Sequence, residues 1–256
     1  MSREQVKRKL DDTENFPGWE RASDYLKRLI VENDLRIVGD IGGGAHPMLD
    51  ADFVSRQKLA YTVFDIAQEE LDKAPPQYDK VRMDISCGAA DFEAKKVRRD
   101  FDLLFSHMFL EHIEKSEQAH RNFARMLKPG GLSVHFYPSP NNFPLTLNRM
   151  IPESLSTGIV RRLQNNRDID GIQGKFKAFY KNCGAPSARL EAKFDSLGFD
   201  LVQHVGYVGH HYYKRIPPVA ALEKQLRAML LKMQVPMTTY NLLVLRKKVT
   251  APNNSP

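Results

Sequence analysis

Asp40 stands two residues before Gly42, the first of three consecutive glycines, Gly42-Gly43-Gly44, in the stretch RIVGDIGGGAHP. A strand that feeds a glycine turn and then a helix can cradle a nucleotide-like ligand. Glycine lets the backbone approach closely, and a helix N-terminus offers unpaired N–H groups. A carboxylate beside such a loop repels a pyrophosphate and suits a ligand with a cationic group. Asp65 follows 25 residues after Asp40. Doubly wound folds place there the acid that accepts ribose hydroxyls, each charge-assisted bond contributing roughly 1.5–3 kcal/mol. Asp65 also precedes the helical string QEELDKA, so it can serve as a helix cap, a role compatible with the first. His107 follows a strand, at the edge where such sheets bind ligands, and its ordinary pKa suits proton removal near neutral pH. Tyr137, His135, His210 and His211 are weaker candidates for that task, His135 lying within a strand as a core or face residue. No His-Glu-x-x-His or other dedicated metal spacing occurs, and Ser106 lacks the glycines of a nucleophile elbow.

These residues need elements to hold them. Apolar positions Ala22, Tyr25, Leu26, Leu29 and Ile30 predict a helix over 19–33, lying across the sheet or the ligand mouth. Strand one is expected at 36–40 and a helix at about 47–57, with Pro47 in its first turn. Strand two is 59–64, strand three 78–83 and strand four 101–105. A helix over 116–127, capped by Ser116, leads to strand five at 132–137. Residues 87–99 suggest one irregular helix. Further on, the pattern predicts a helix over 187–197 ended by Gly198, strand six at 200–208, a helix from about 219 to 233 and strand seven at 239–245. Residues 1–17 read as loosely ordered.

Several strings in this order resemble the class I S-adenosylmethionine-dependent methyltransferases, of the small-molecule, methyltransferase-domain-11-like type. Asp40, Gly42 and Gly44 match the first motif, with His46 in place of its third glycine. Leu110-Glu111-His112-Ile113 and Leu127-Lys128-Pro129-Gly130-Gly131 match two further strings at the expected places. The resemblance covers about residues 35–137 and, more loosely, 185–248. It implies a doubly wound, mostly parallel seven-stranded Rossmann-like α/β sheet of order 3-2-1-4-5-7-6, with helices on both faces, an insertion after strand five and the last strand antiparallel. It implies S-adenosyl-L-methionine as cofactor, S-adenosyl-L-homocysteine as product, and in-line methyl transfer to an O, N or C nucleophile. Asp84 and Ile85, after strand three, are the implied adenine contacts. Gly43 and Ile66 complete the implied cofactor set, and Ser106 and His107 line the site. Strand four is followed by Ser106-His107-Met108-Phe109 rather than by Asp/Asn-Pro-Pro-Tyr/Phe, which argues against the enzymes that methylate exocyclic amines of DNA or glutamine.

The implied organisation is one domain. Residues 1–34 form a helical cap, 35–137 the cofactor core, 138–184 an insertion or lid, 185–248 the rest of the sheet with an inserted helix, and 249–256 a disordered tail. The acceptor pocket is expected from the insertion, the N-terminal helix and residues 209–233. The net charge is +7. Residues 1–150 carry 22 Lys and Arg against 24 Asp and Glu, whereas 151–256 carry 16 against 7. That basic half is either a solvated face or a wall facing an acidic acceptor, anionic or glycan-like, with Lys175 and Lys177 as test positions. Basic tracts with interleaved aromatics are missing, so nucleic acid is not favoured as a partner. No apolar run is long enough to span a membrane, and the charged start does not resemble a secretory signal. With Cys87 and Cys183 far apart and expected as buried thiols, this suggests a cytoplasmic protein. Two other readings stay open: a nicotinamide-dependent oxidoreductase, against which Asp40 counts, and a non-catalytic cofactor-binding module, which His46 leaves open.

Overall fold

The computed structural model describes residues 7–140, 177–210 and 217–249. Eight strands form one sheet: β1 (Arg8–Asp12), β2 (Ile37–Ile41), β3 (Ala60–Asp65), β4 (Asp79–Arg82), β5 (Phe101–His107), β6 (Leu127–Pro138), β7 (Phe199–Val208) and β8 (Thr238–Lys247). Their spatial order is β1-β7-β8-β6-β5-β2-β3-β4. Strand β8 runs antiparallel to both β6 and β7, and the other pairings are parallel. The seven strands expected from Ile37 onward therefore stand in the expected order, and the count is corrected to eight. The extra strand is β1, within residues expected to be loose. It pairs with β7 in the register Arg8↔His204 to Asp12↔Val208. Its sequence, RKLDD, has one apolar residue, and charge on an edge strand discourages further pairing.

The helices are α1 (Ala22–Glu32), α2 (Ala51–Arg56), α3 (Gln68–Lys73), α4 (Ala89–Ala94), α5 (Ser116–Met126), α6 (Ala188–Ser196) and α7 (Pro217–Lys232). They cover both faces of the sheet, as parallel strands buried on two sides require. On one face Leu26 and Ile30 of α1, Phe53 of α2 and Leu71 of α3 pack on Val38, Val63, Phe105 and Phe136. On the other, Phe92 of α4, Phe123 of α5 and Phe194 of α6 pack on Ile41, Phe64, Leu104 and Leu243. Among the described residues no helix is long and apolar enough to cross a membrane.

Three local expectations change. Helix α2 starts at Ala51, capped by Asp50, whose Oδ1 accepts the Phe53 N–H at 2.8 Å. The glycine turn and the helix are thus separated by an irregular segment, and Pro47 precedes the helix. Ser116 is the first residue of α5 and not its cap; Lys115 holds the cap position without a side-chain bond. Strand β6 begins at Leu127, so Leu127-Lys128-Pro129-Gly130-Gly131 is part of a strand. The start of the central strand is pinned by Asp102 of β5. Its Oδ2 accepts the N–H groups of Arg36 and Ile37 at 2.7 and 2.8 Å, and the Lys128 ammonium pairs with its other oxygen.

Candidate functional site

Strands β5, β2, β3 and β4 are neighbours, so their C-terminal ends bring His107, Asp40, Asp65 and Asp84 to one edge of the sheet. The glycine turn after β2 lies between the first two acids. Gly42 and Gly44 have φ of +77° and +44°, which side chains rarely adopt. A Cβ at Gly43 would fall 2.7 Å from the Asp40 carboxyl carbon, and one at Gly44 would fall 2.9 Å from Asp65 Oδ2. Two carboxylates thus press directly against the bare glycine backbone. A ligand entering here meets negative charge together with close backbone approach. That donor set fits a cationic group and a hydroxyl pair, and opposes a pyrophosphate.

Asp40 is buried, and its Oδ2 accepts the Tyr61 hydroxyl at 2.6 Å and the Met48 N–H at 2.9 Å. Burial pushes its pKa up to about 6 against these two donors, and the Asp65 charge adds to the rise. Asp40 therefore braces the loop through Met48 as well as supplying charge. Asp65 Oδ1 accepts the Ala67 N–H at 2.9 Å, just ahead of α3, while its Oδ2 faces Gly44. Ala67 occupies the cap position of that helix.

Beyond Asp65 opens a cavity of about 480 Å³ lined by Ile66, Met83, Asp84, Ser86 and Cys87 among others. Its size is in the range of cofactor pockets. Ile66 is 62% exposed, a large apolar side chain left uncovered beside the acids. Asp84 Oδ1 accepts the Ser86 N–H and hydroxyl at 2.8 and 2.7 Å, a turn that fixes the carboxylate at the cavity wall. Ile85 is placed elsewhere: it is 4% exposed and belongs to the core beneath α5. Met83 is buried to the same degree in the same core, but it borders the cavity where Ile85 does not. Cys87 is half-buried rather than buried, while Cys183 is buried as expected; both are free thiols.

Ser106 and His107 alternate across strand β5 and so part company. Ser106 is fully buried and hydrogen-bonded to His135 Nδ1 at 2.8 Å, and His135 Nε2 is bonded to Ser133 Oγ at 2.7 Å. That set lies inside the fold and turns Ser106 away from the mouth. His107 is half-buried and donates from Nε2 to the Gly18 carbonyl. This bond leaves Nδ1 as the ring acceptor. Burial lowers the His107 pKa below its usual 6.5, with the Gly18 carbonyl opposing, so the ring is neutral at pH 7. Trp19 stands edge-on to His107 at 6.2 Å and to Tyr240 at 5.2 Å. Glu111, two residues past Phe109, is also buried, and burial raises its carboxyl to about 7.

Sequence reading missed Tyr61, Met83, Phe109 and the Gly18-Trp19 contact. Phe109 lies over the first glycine, so that a Cβ at Gly42 would fall 2.2 Å from its ring. Tyr61 could have been suspected as the polar-tipped residue of an apolar strand. The others carry no signal in the sequence, because only the fold brings residues 18 and 107 together. His211 and Lys175 lie outside the described residues, as does most of the expected insertion. Lys177 is exposed, with its ammonium 4.9 Å from the Phe179 ring.

Residues 40–135 match a family model described as a methyltransferase domain. No curated protein sequence matches the chain. Solved structures share its fold at low identity. A SAM-dependent methyltransferase from Archaeoglobus fulgidus is 11% identical with a TM-score of 0.50, over 88% of this chain and 94% of that one. A putative sarcosine dimethylglycine methyltransferase from Galdieria sulphuraria is 13% identical with a TM-score of 0.52, over 89% and 86%. An S-adenosylmethionine-dependent methyltransferase from Clostridium acetobutylicum is 14% identical with a TM-score of 0.51, over 89% and 91%.

Proposed function

We propose that this chain is an S-adenosylmethionine-dependent methyltransferase, a reading supported by the match of residues 40–135 to a methyltransferase domain and by the fold it shares with such enzymes. It transfers the methyl group of S-adenosylmethionine to an O, N or C nucleophile of a small acceptor. The observation that carries the reading is the pair of carboxylates, Asp40 and Asp65, against the bare backbone of Gly43 and Gly44. The same pair disfavours the pyrophosphate of a nicotinamide dinucleotide.

When bound, the cofactor supplies an activated methyl group, so the protein needs no nucleophile of its own. The chain's residues bind and orient. Asp65 would accept the ribose hydroxyls, and the adenine would be held by the exposed Ile66 and by Asp84 at its polar edge, with Met83 in the cavity wall beneath. Asp40, held by Tyr61 and Met48, keeps the loop in place and favours a cationic ligand. His107 takes the acceptor's proton at Nδ1, because Nε2 is committed to Gly18. The acceptor is small and anionic or glycan-like, a reading supported by the basic C-terminal half. The two free cysteines support a reducing, cytoplasmic setting.

The test is transfer of a labelled methyl group from S-adenosylmethionine to a panel of anionic, sugar-bearing and neutral small acceptors. Incorporation favoured by the anionic or sugar-bearing set, and weakened by salt, is expected. Tight binding of the cofactor with no transfer to any acceptor would contradict the catalytic reading.

A further inference from the structure

Helix α7 is an addition between β7 and β8, and it carries Arg227 buried at 5% exposure. A buried guanidinium needs partners, and Arg227 has three carboxylates. Nη1 bonds Asp12 Oδ1 at 2.9 Å, Nη2 bonds Glu14 Oε1 at 3.3 Å, and Nε lies 3.8 Å from Glu223 Oε1 on the same helix. Asp12 and Glu14 belong to the N-terminal segment. Asp12 ends strand β1, and the same Oδ1 caps the helical turn Thr13–Asn15 by accepting the Glu14 N–H at 2.9 Å. Arg227 therefore grips that turn at its cap and at its second residue.

The turn leads straight to the site. Arg21 donates to the carbonyls of Glu14 and Phe16 at 2.7 and 3.0 Å, closing the loop over 14–21. Phe16 is buried and stacks on Tyr240 at 4.8 Å. Two residues on, the Gly18 carbonyl holds His107 Nε2, and Trp19 stands against the same ring. The groups packed on His107 are that carbonyl, Trp19 and Phe136, and among the described residues no charged side chain acts on it.

We infer that Arg227 is a positioning residue: by fastening the 12–16 turn to helix α7, it holds the Gly18 carbonyl and Trp19 against His107 and so sets that ring's tautomer and orientation. The inference rests on the reading of His107 as the proton acceptor, and it gives the added helix a task at the site. A misplacement of about 1 Å at such a group can cost about 100-fold in rate.

Trp19 is the one tryptophan of the chain, so its emission reports this contact without any acceptor. In the wild-type protein, emission changes with a midpoint below pH 6.5 as His107 takes a proton, and His107→Gln abolishes the change. In Arg227→Gln the midpoint rises toward 6.5 and the emission at pH 8 moves to longer wavelength, while affinity for S-adenosylhomocysteine stays within about twofold, because the cofactor loop is not touched. Asp12→Asn keeps the cap and most of the fold and moves the midpoint in the same direction. Leu230→Ala, a buried change on α7 without an ionic partner, leaves the midpoint at the wild-type value. A wild-type midpoint and emission in both Arg227→Gln and Asp12→Asn would overturn the inference. So would an equal change in Leu230→Ala, since Arg227 would then act only through general stability. If His107→Ala leaves turnover intact while Arg227→Gln still moves the midpoint, the proton-acceptor reading fails and the positioning of His107 stands.

Discussion

Replacing Tyr61 by Phe removes one hydroxyl from the floor of the site and leaves the ring, which packs edge-on to Tyr78 at 4.9 Å. The hydroxyl donates to Asp40 Oδ2 at 2.6 Å, and Asp40 has a pKa raised to about 6, above its ordinary 3.8. A bond of this kind favours the ionised carboxylate by roughly 1.5–3 kcal/mol. At 1.36 kcal/mol per pH unit, a bond near the upper end lifts the Asp40 pKa in the variant to about 8. The folded-state pKa is raised in both proteins, so this group's stability contribution is present at low pH and lost as pH rises through the folded value. The loss ends near pH 6 in the wild type and near pH 8 in the variant. Linkage then gives a difference of about 0.1 kcal/mol at pH 5 and about 2 kcal/mol at pH 8, on top of any constant cost of the missing hydroxyl. The assay is urea unfolding followed by Trp19 emission at pH 5, 6, 7 and 8 as assay conditions. A stability difference that is the same at about pH 5 and about pH 8 would refute the coupling of Tyr61 to an ionising Asp40.

His107→Ala is expected to lower turnover by about 100-fold while leaving S-adenosylhomocysteine affinity within about twofold, measured by labelled-methyl transfer and calorimetry. Because burial holds the imidazole below 6.5, the rate in the parent protein should rise with pH on an acid limb below that value and then level off. Asp65→Asn should weaken S-adenosylhomocysteine binding by about tenfold through the lost charge-assisted bonds, read by the same calorimetry. Gly42→Ala places a Cβ 2.2 Å from the Phe109 ring at φ +77°, so it should lower the melting temperature and abolish cofactor binding together.

The central strands were legible as near-continuous apolar runs, FDLLF and LAYTVF among them, and their order followed from the resemblance carried by the motifs between them. The acids themselves were legible for the same reason: Asp40 and Asp65 follow the apolar run at the strand tips. Strand β1 was not, because a charged edge strand has no pattern of its own and forms only against β7. Ser106 and His107 show the limit of reading neighbours as a pair, since alternation along a strand sends one inward and one to the mouth. Ile85 was assigned by its place after strand three. Ile85 and Met83 are both buried in one core, and of the two only Met83 borders the cavity, beside the exposed Ile66. The contacts of residues 12–19 with Arg227 and His107 join segments far apart in the chain, and no local pattern encodes them.

The most direct measurement is the thermal shift of the full chain with S-adenosylhomocysteine beside NADH as control. Ligand at about 100 times its dissociation constant should stabilise the protein by about 2.7 kcal/mol, a clear rise in melting temperature. The expected result is a rise with S-adenosylhomocysteine, none with NADH, and a smaller rise in Asp65→Asn. A rise with NADH alone, or none with S-adenosylhomocysteine, would contradict the assignment of the glycine loop and its two carboxylates to a methyl donor.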